Sequence, residues 1–227
     1  VIDPTSMPVT RSANAAIDKV SLQHGDVVDM LAAYAETDLL CHRADGPEAL
    51  VARQHQHWQP LLDWGAETHN APLVVTTGIL PAMQPQNSLD SYRKRIAEFR
   101  PFSLTALHDL IMLSGSLVLG LAVAARRIQA DEAWAISRID ETFQIEQWGE
   151  DEDAMEAAAL KQEAFRHAGR NCDQQVLNAP VGDRFQAIAY GPDCPALGEF
   201  TTGLKHAPKL ADELVKGLTA IADFLGV

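Results

Sequence analysis

Residues 140 to 156, "DETFQIEQWGEDEDAME", carry eight acids and no base, together with Phe143, Ile145 and Trp148. Carboxylates at that density can hold a hard cation, work as a general acid and base, or face water at a helix end. A calcium loop of the EF-hand kind needs alternating oxygen ligands, a central glycine and a terminal bidentate glutamate. "EDEDAMEAA" has no such glycine and no glutamate at the right distance. Consecutive acids after Gly149 fit the start of a helix, where negative charge meets the N-terminal dipole. Capping alone accounts for Glu150 and Asp151. A docking role for the rest of the run stands beside it.

Other residue types point to chemistry only on paper. His108 and Asp109, in "LTALHDL", resemble a catalytic pair. Neighbours in a helix point about 100° apart, so we expect no direct bond between them and a satisfied polar pair beside the core. His55 and His57 are spaced i and i+2 and cannot share a metal from one helix face. The motifs GxSxG and HExxH and glycine-rich phosphate loops are absent. Cys41, Cys172 and Cys194 are odd in number and lack CxxC spacing, which argues against a disulfide scaffold or a zinc site and fits a reducing compartment. No catalytic, cofactor or metal site is predicted.

The bulk numbers are those of an ordinary globular protein. The net charge of −13 over 227 residues repels phosphate backbones and excludes a nucleic-acid partner. A basic or apolar partner surface is favoured instead. Apolar content of 47% suits a globular core. The longest apolar run, residues 110 to 125, is shorter than the roughly 20 residues a membrane span needs, so it predicts a core helix and no membrane insertion.

The elements that must position the acids are mostly helices. "VIDPTSMPVTRSANAAIDKV" predicts an extended start and then a helix capped by Thr10 or Ser12, with an interruption near Gly25. Asp45 as cap, Pro47 and Glu48 open a helix in which Leu50, Gln54, Trp58, Leu61, Leu62 and Gly65 recur at helical spacing. "PLVVTTGI" is a strand candidate ended by Gly78, and Asn87 or Ser88 opens a helix to about Phe99. Ser103 to Arg127 predicts one central helix, apolar on nearly all sides, whose Ser116, Gly120 and Ala124 permit a close helix approach. Ala130 to Trp148 predicts another. Its wheel puts Trp134, Arg138, Glu141, Ile145 and Trp148 on one stripe, and Ile136, Ile139 and Phe143 opposite. Arg138 and Glu141 can pair on that stripe. Gly149 should close the helix with a left-handed residue. Residues after about His167 are loop-rich, with one strand, "FQAIAY", and an amphipathic terminal helix.

"LTALHDLIMLSGSLVLGLAVA" and "AWAISRIDETFQIEQWGEDED", with "VIDPTSMPVTRSANAAID", "DLLCHRADGPEALVARQHQHWQPLLDW" and "LVVTTGILP" in the same order, make this chain resemble a known family. These are the ATP-synthase assembly chaperones that bind the α subunit of the catalytic head in mitochondria and α-proteobacteria. The resemblance covers residues 1–168. It implies a mainly α, multi-helix domain with one or two short strands. The family's β-rich N-terminal domain is not represented before "VIDP", which predicts an apolar face left to be covered. Residues 169–227 form an unassigned segment, α+β or irregular.

The implied activity is not catalysis. Members of the family hold the unassembled α subunit and cover its interface until β replaces them. The implied partner-binding residues are Glu141 and Glu152, with Trp148 and Gly149 as the motif's frame. Trp134, on the same stripe, and Glu146, in the same acidic run, complete the expected set. The implied location is the cytoplasm of an α-proteobacterium-like source, with the mitochondrial matrix as the alternative. A competing expectation is a hydrolase whose site joins His206, Asp193 and Glu199 of the C-terminal segment to His108-Asp109.

Overall fold

The computed structural model describes residues 7–78 and 80–172. The strand expected in "FQAIAY", the terminal helix, Cys194 and the alternative site residues Asp193, Glu199 and His206 lie outside the described residues. Those described form nine α-helices and two short strands, the mainly helical class expected.

Helix α1, Pro8–Ala15, starts earlier than the expected Thr10 or Ser12 cap, with Pro8 in its first turn. Proline suits that position because its missing N–H would have had no partner. One wide helical turn, Ala16–Val20, follows, and the chain breaks at Ser21–Gln23 before α2, His24–Ala32. The break precedes Gly25, which sits inside α2.

Helix α3, Glu48–His69, buries the six residues read from its spacing: Leu50, Gln54, Trp58, Leu61, Leu62 and Gly65. Its N-cap position is Pro47, without a side-chain cap, so Asp45 does not take the expected role. It ends on Asn70, whose φ is 50°. Strands β1, His42–Arg43, and β2, Thr76–Thr77, pair in parallel with His42 opposite Thr76. The expected strand "PLVVTTGI" therefore shrinks to two residues. The reason is local: the Gln84 side-chain amide bonds both the N–H (2.7 Å) and the C=O (3.0 Å) of Val74, so those groups do not extend the ladder. Helix α4, Gln86–Ala97, is tied to the preceding loop by Ser88, whose hydroxyl donates to Pro72 O at 2.7 Å.

The expected central helix is two helices, α5, Pro101–Ser114, and α6, Leu117–Ala124. Gly115 takes φ +72° and closes α5 through its N–H to Ile111 O at 2.8 Å. Such a backbone is inexpensive only for glycine. Ser116 then restarts the chain as an N-cap, its hydroxyl accepting from Leu119 N at 3.0 Å. The two helices fold back on each other and form the centre of the core, with Leu104, Leu107, Leu110, Ile111, Leu117, Val118 and Leu119 all at 0% exposure. The close approach expected at Gly120 is real, and its neighbour is α5. A Cβ there would lie 2.7 Å from the Ile111 Cγ1.

One residue unremarked in the sequence holds this turn. Asp38 is fully buried, accepting from the Ser116 hydroxyl (2.7 Å) and from the N–H groups of Leu40 and Val118 (both 3.0 Å). A carboxylate at the start of α6 also meets the positive end of that helix.

The last expected helix also divides, into α7, Ala130–Ser137, and α8, Ile139–Trp148. Side chains compete for the carbonyls at the break: Ser137 donates to Trp134 O (2.8 Å) and the Trp58 indole to Ile136 O (2.9 Å). The Arg138 N–H bonds Ala135 O instead, a tighter turn. Helix α9, Glu152–Asn171, packs its C-terminal end on α5 and α7. No described helix is long and apolar enough to cross a membrane.

Candidate functional site: the corner between the eighth and ninth helices

The acidic run lies where α8 ends and α9 begins. Helix α8 is anchored on α3 by burial of Ile139 and Phe143 and by a polar hinge. The Gln54 amide, 1% exposed, accepts from Ala44 N at 2.9 Å and donates to the Asp140 carboxylate at 2.7 Å, which satisfies both its ends. A buried amide left half-paired would be destabilising, so this bridge fixes where α8 starts. Near the other end of α8, Arg53 of α3 donates to both carboxylate oxygens of Glu146, at 2.8 and 2.9 Å. Its guanidinium also lies over the Phe143 ring, 5.5 Å from the centroid. The hydrogen bond from Arg53 holds the Glu146 carboxyl below the usual carboxylate range and keeps Arg53 charged.

Beyond Phe143 the run faces solvent. Trp148 is 81% exposed. Gly149 has φ 90° and ψ 175° with nothing near its Cβ position, so the positive φ expected is present, in an extended rather than helical form. That region is open only to glycine. Asp151 caps α9, accepting from Ala154 N at 2.8 Å, and Glu152 and Asp153 occupy the first turn, while Glu150, expected in that helix start, lies before the cap. The buried residues of α9 are Phe165 and Ala168, both near its C-terminal end. Its first turns therefore bury no side chain, and Met155 (44%) and Leu160 (70%) stand exposed beside the acids.

The structure separates the six residues expected to act together. Trp148, Gly149 and Glu152 are at the open corner. Glu141 is paired to Arg138 at 2.7 Å, the i, i+3 contact expected, and Glu146 is held by Arg53. Trp134 is buried, its ring centroid 5.7 Å from that of Phe165, and the Arg138 guanidinium lies over the Trp134 ring, 5.7 Å from its centroid. The single stripe from Trp134 to Trp148 does not exist, because the break at Arg138 ends the continuous helix on which the wheel depended. Trp134 turns inward with Ile136, while Ile145 and Trp148 stay outside. Arg53 and Gln54 were missed as site residues. Their signal was an arginine beside a buried glutamine on the apolar stripe of α3.

His108 and Asp109 do bond, Nδ1 to Oδ1 at 2.9 Å, contrary to expectation. Both are half-buried, and the ring nitrogen nearest the backbone reaches sideways to a short carboxylate. No serine, threonine or cysteine bonds either side chain among the described residues. Within the same residues no group of three or more His, Cys, Asp or Glu could hold a metal.

The corner between α8 and α9 exposes apolar and acidic side chains together, a composition that suits contact with another protein. The family model for the ATP12 chaperone protein matches residues 1–66. A crystal structure of Atp12 from Paracoccus denitrificans is 52% identical, with TM-score 0.74, over 76% of this chain and 74% of that one. A crystal structure of a chaperone candidate from Agrobacterium tumefaciens is 37% identical, with TM-score 0.71, over 75% of this chain and 64% of that one. The chain belongs to the ATP12 chaperone family, the ATP-synthase assembly chaperones whose motifs its sequence carries.

Proposed function

We propose that this ATP-synthase assembly chaperone binds the unassembled α subunit of the catalytic head, without ATP, and covers its interface until β takes its place. The family membership supports the task, and the exposed Trp148 beside unpaired acids is the observation that carries the docking site. A large aromatic side chain 81% in water is an anchor that a partner surface can cover. We assign the role to the helical domain, residues 1–168. Within it Trp148, Gly149 and Glu152 form the contact surface, Glu141 and Glu146 flank it, and Trp134 supports it from the core. The bacterial relatives favour the cytoplasm as its location.

The test is co-expression of this chain with an isolated α subunit. Soluble α that co-purifies with the chain is expected. Equal aggregation of α with and without the chain would overturn the proposal. Glu152→Lys and Glu141→Lys should weaken binding while the fold stays intact, and unchanged binding by both would remove this corner as the docking site.

A further inference from the structure

Helix α8 is gripped along one face by consecutive residues of α3. Gln54 takes Asp140 at its start, and Arg53 takes Phe143 and Glu146 towards its end. Those three lie at successive intervals of three residues, so they share a face. Burial secures only the first part of the helix, because Ile139 and Phe143 are its buried residues. From Gln144 to Trp148 every side chain is exposed. Apolar packing therefore does not set the direction of the last turn. The two-bond fork from Arg53 to Glu146 ties that turn to α3, two residues before Trp148. A guanidinium fork restricts a carboxylate in both position and plane, which a single bond cannot do.

We propose that Arg53 is a positioning residue for the docking corner: it fixes the last turn of α8 on α3, and with it the placement of Trp148 and the Gly149 turn. Glu146 then serves the corner by holding Arg53 and not by touching the partner. This rests on the proposed function. The pair is half-exposed, with 34% and 45% of the two side chains accessible, so it adds little to global stability. A loss of partner affinity without a loss of melting temperature is therefore the signature of positioning.

The experiment uses the full chain as wild type, Arg53→Ala, Arg53→Lys, Glu146→Gln, the double Arg53→Ala/Glu146→Gln, and the exchanged pair Arg53→Glu/Glu146→Arg. Affinity for isolated α subunit, melting temperature, and amide hydrogen exchange of residues 145–149 are measured on each. Residues of one network couple strongly enough that Arg53→Ala should weaken binding at least about threefold. Glu146→Gln should weaken it equally, the double no further, and Arg53→Lys by less, all at unchanged melting temperature. Exchange at residues 145–149 should rise in step. The exchanged pair should restore both affinity and protection. Wild-type affinity in Arg53→Ala overturns the proposal. So does a loss in Glu146→Gln that the exchanged pair leaves unrepaired, since Glu146 would then touch the partner itself. If the wild type binds no α subunit, the proposed function fails. Exchange at residues 145–149 then decides the role of Arg53 alone, and unchanged exchange in Arg53→Ala overturns it.

Discussion

Replacing Asp38 by alanine tests the account of how the central helices turn. The carboxylate is at 0% exposure and takes three donors: Leu40 N, the Ser116 hydroxyl and Val118 N. Each donor left without a partner in a buried site costs about 1–3 kcal/mol, an upper bound of about 9 kcal/mol for the three. Two effects reduce it. The Ser116 hydroxyl already accepts from Leu119 N and can rotate its proton towards another acceptor. Burial also pushes the Asp38 carboxyl pKa up in spite of the donors, so deleting the charge removes a desolvation cost as well. We expect a loss of about 3–4 kcal/mol, a large fraction of the 5–15 kcal/mol that holds a typical domain. Asp38→Asn keeps the oxygen facing Leu40 and Ser116 and strands only Val118 N, so it should lose about 1–3 kcal/mol. The assay is urea unfolding at neutral pH followed by circular dichroism, where the midpoint should fall at constant slope in the order wild type, Asn, Ala. A loss below about 1 kcal/mol in the alanine variant, or an asparagine variant worse than alanine, would refute the view that this carboxylate organises the turn.

Gly120→Ala should destabilise by about 1 kcal/mol or more, because the overpacking cost at Ile111 exceeds the roughly 1 kcal/mol gained in helix propensity. A higher melting temperature would show that the α5–α6 contact yields freely. Burial holds the pKa values of His69 and His167 below the ordinary 6.5, with Arg95 and Arg170 adding to the effect. The unfolded chain therefore takes up protons first, and stability should be full above pH 6.5 and fall as pH drops below it, a fall that His69→Gln/His167→Gln should flatten. Melting temperatures between pH 5 and pH 8 check this. Trp148→Ala should change stability by less than about 0.5 kcal/mol, since the side chain is 81% exposed, yet cost at least about 1 kcal/mol in affinity for the α subunit by titration calorimetry.

Periodicity alone made much of the helical body legible. The burial of α3 was read residue by residue, because a long unbroken helix keeps its 3.6-residue pattern along its whole length. The Gly149 turn and the Asp151 cap were readable because both are local: a backbone angle and an oxygen three residues from the amide it accepts. The breaks at Gly115 and Arg138 were not readable. An apolar helix that folds back on itself and one that runs straight have the same composition, and the choice at Gly115 depends on Asp38, 78 residues from the Ser116 hydroxyl it accepts from. At Arg138 it depends on the Trp58 indole taking a carbonyl 78 positions away in sequence.

The same division holds at the corner. Sequence determined that residues 140 to 156 are acidic without relief, that a glycine turns the chain at 149, and which family of chaperones carries these motifs. It determined the types of side chain present. Tertiary structure decided which of them are free. Trp134 and Trp148 looked equivalent on one wheel, and packing against Phe165 buried the first while the second stayed in water. Glu146 and Glu152 looked equivalent as acids, and only the approach of α3 gave one of them Arg53, 93 positions distant, as its partner. A side chain's type is local, but its exposure and its partner come from contacts between distant segments, which exist only once the chain has folded.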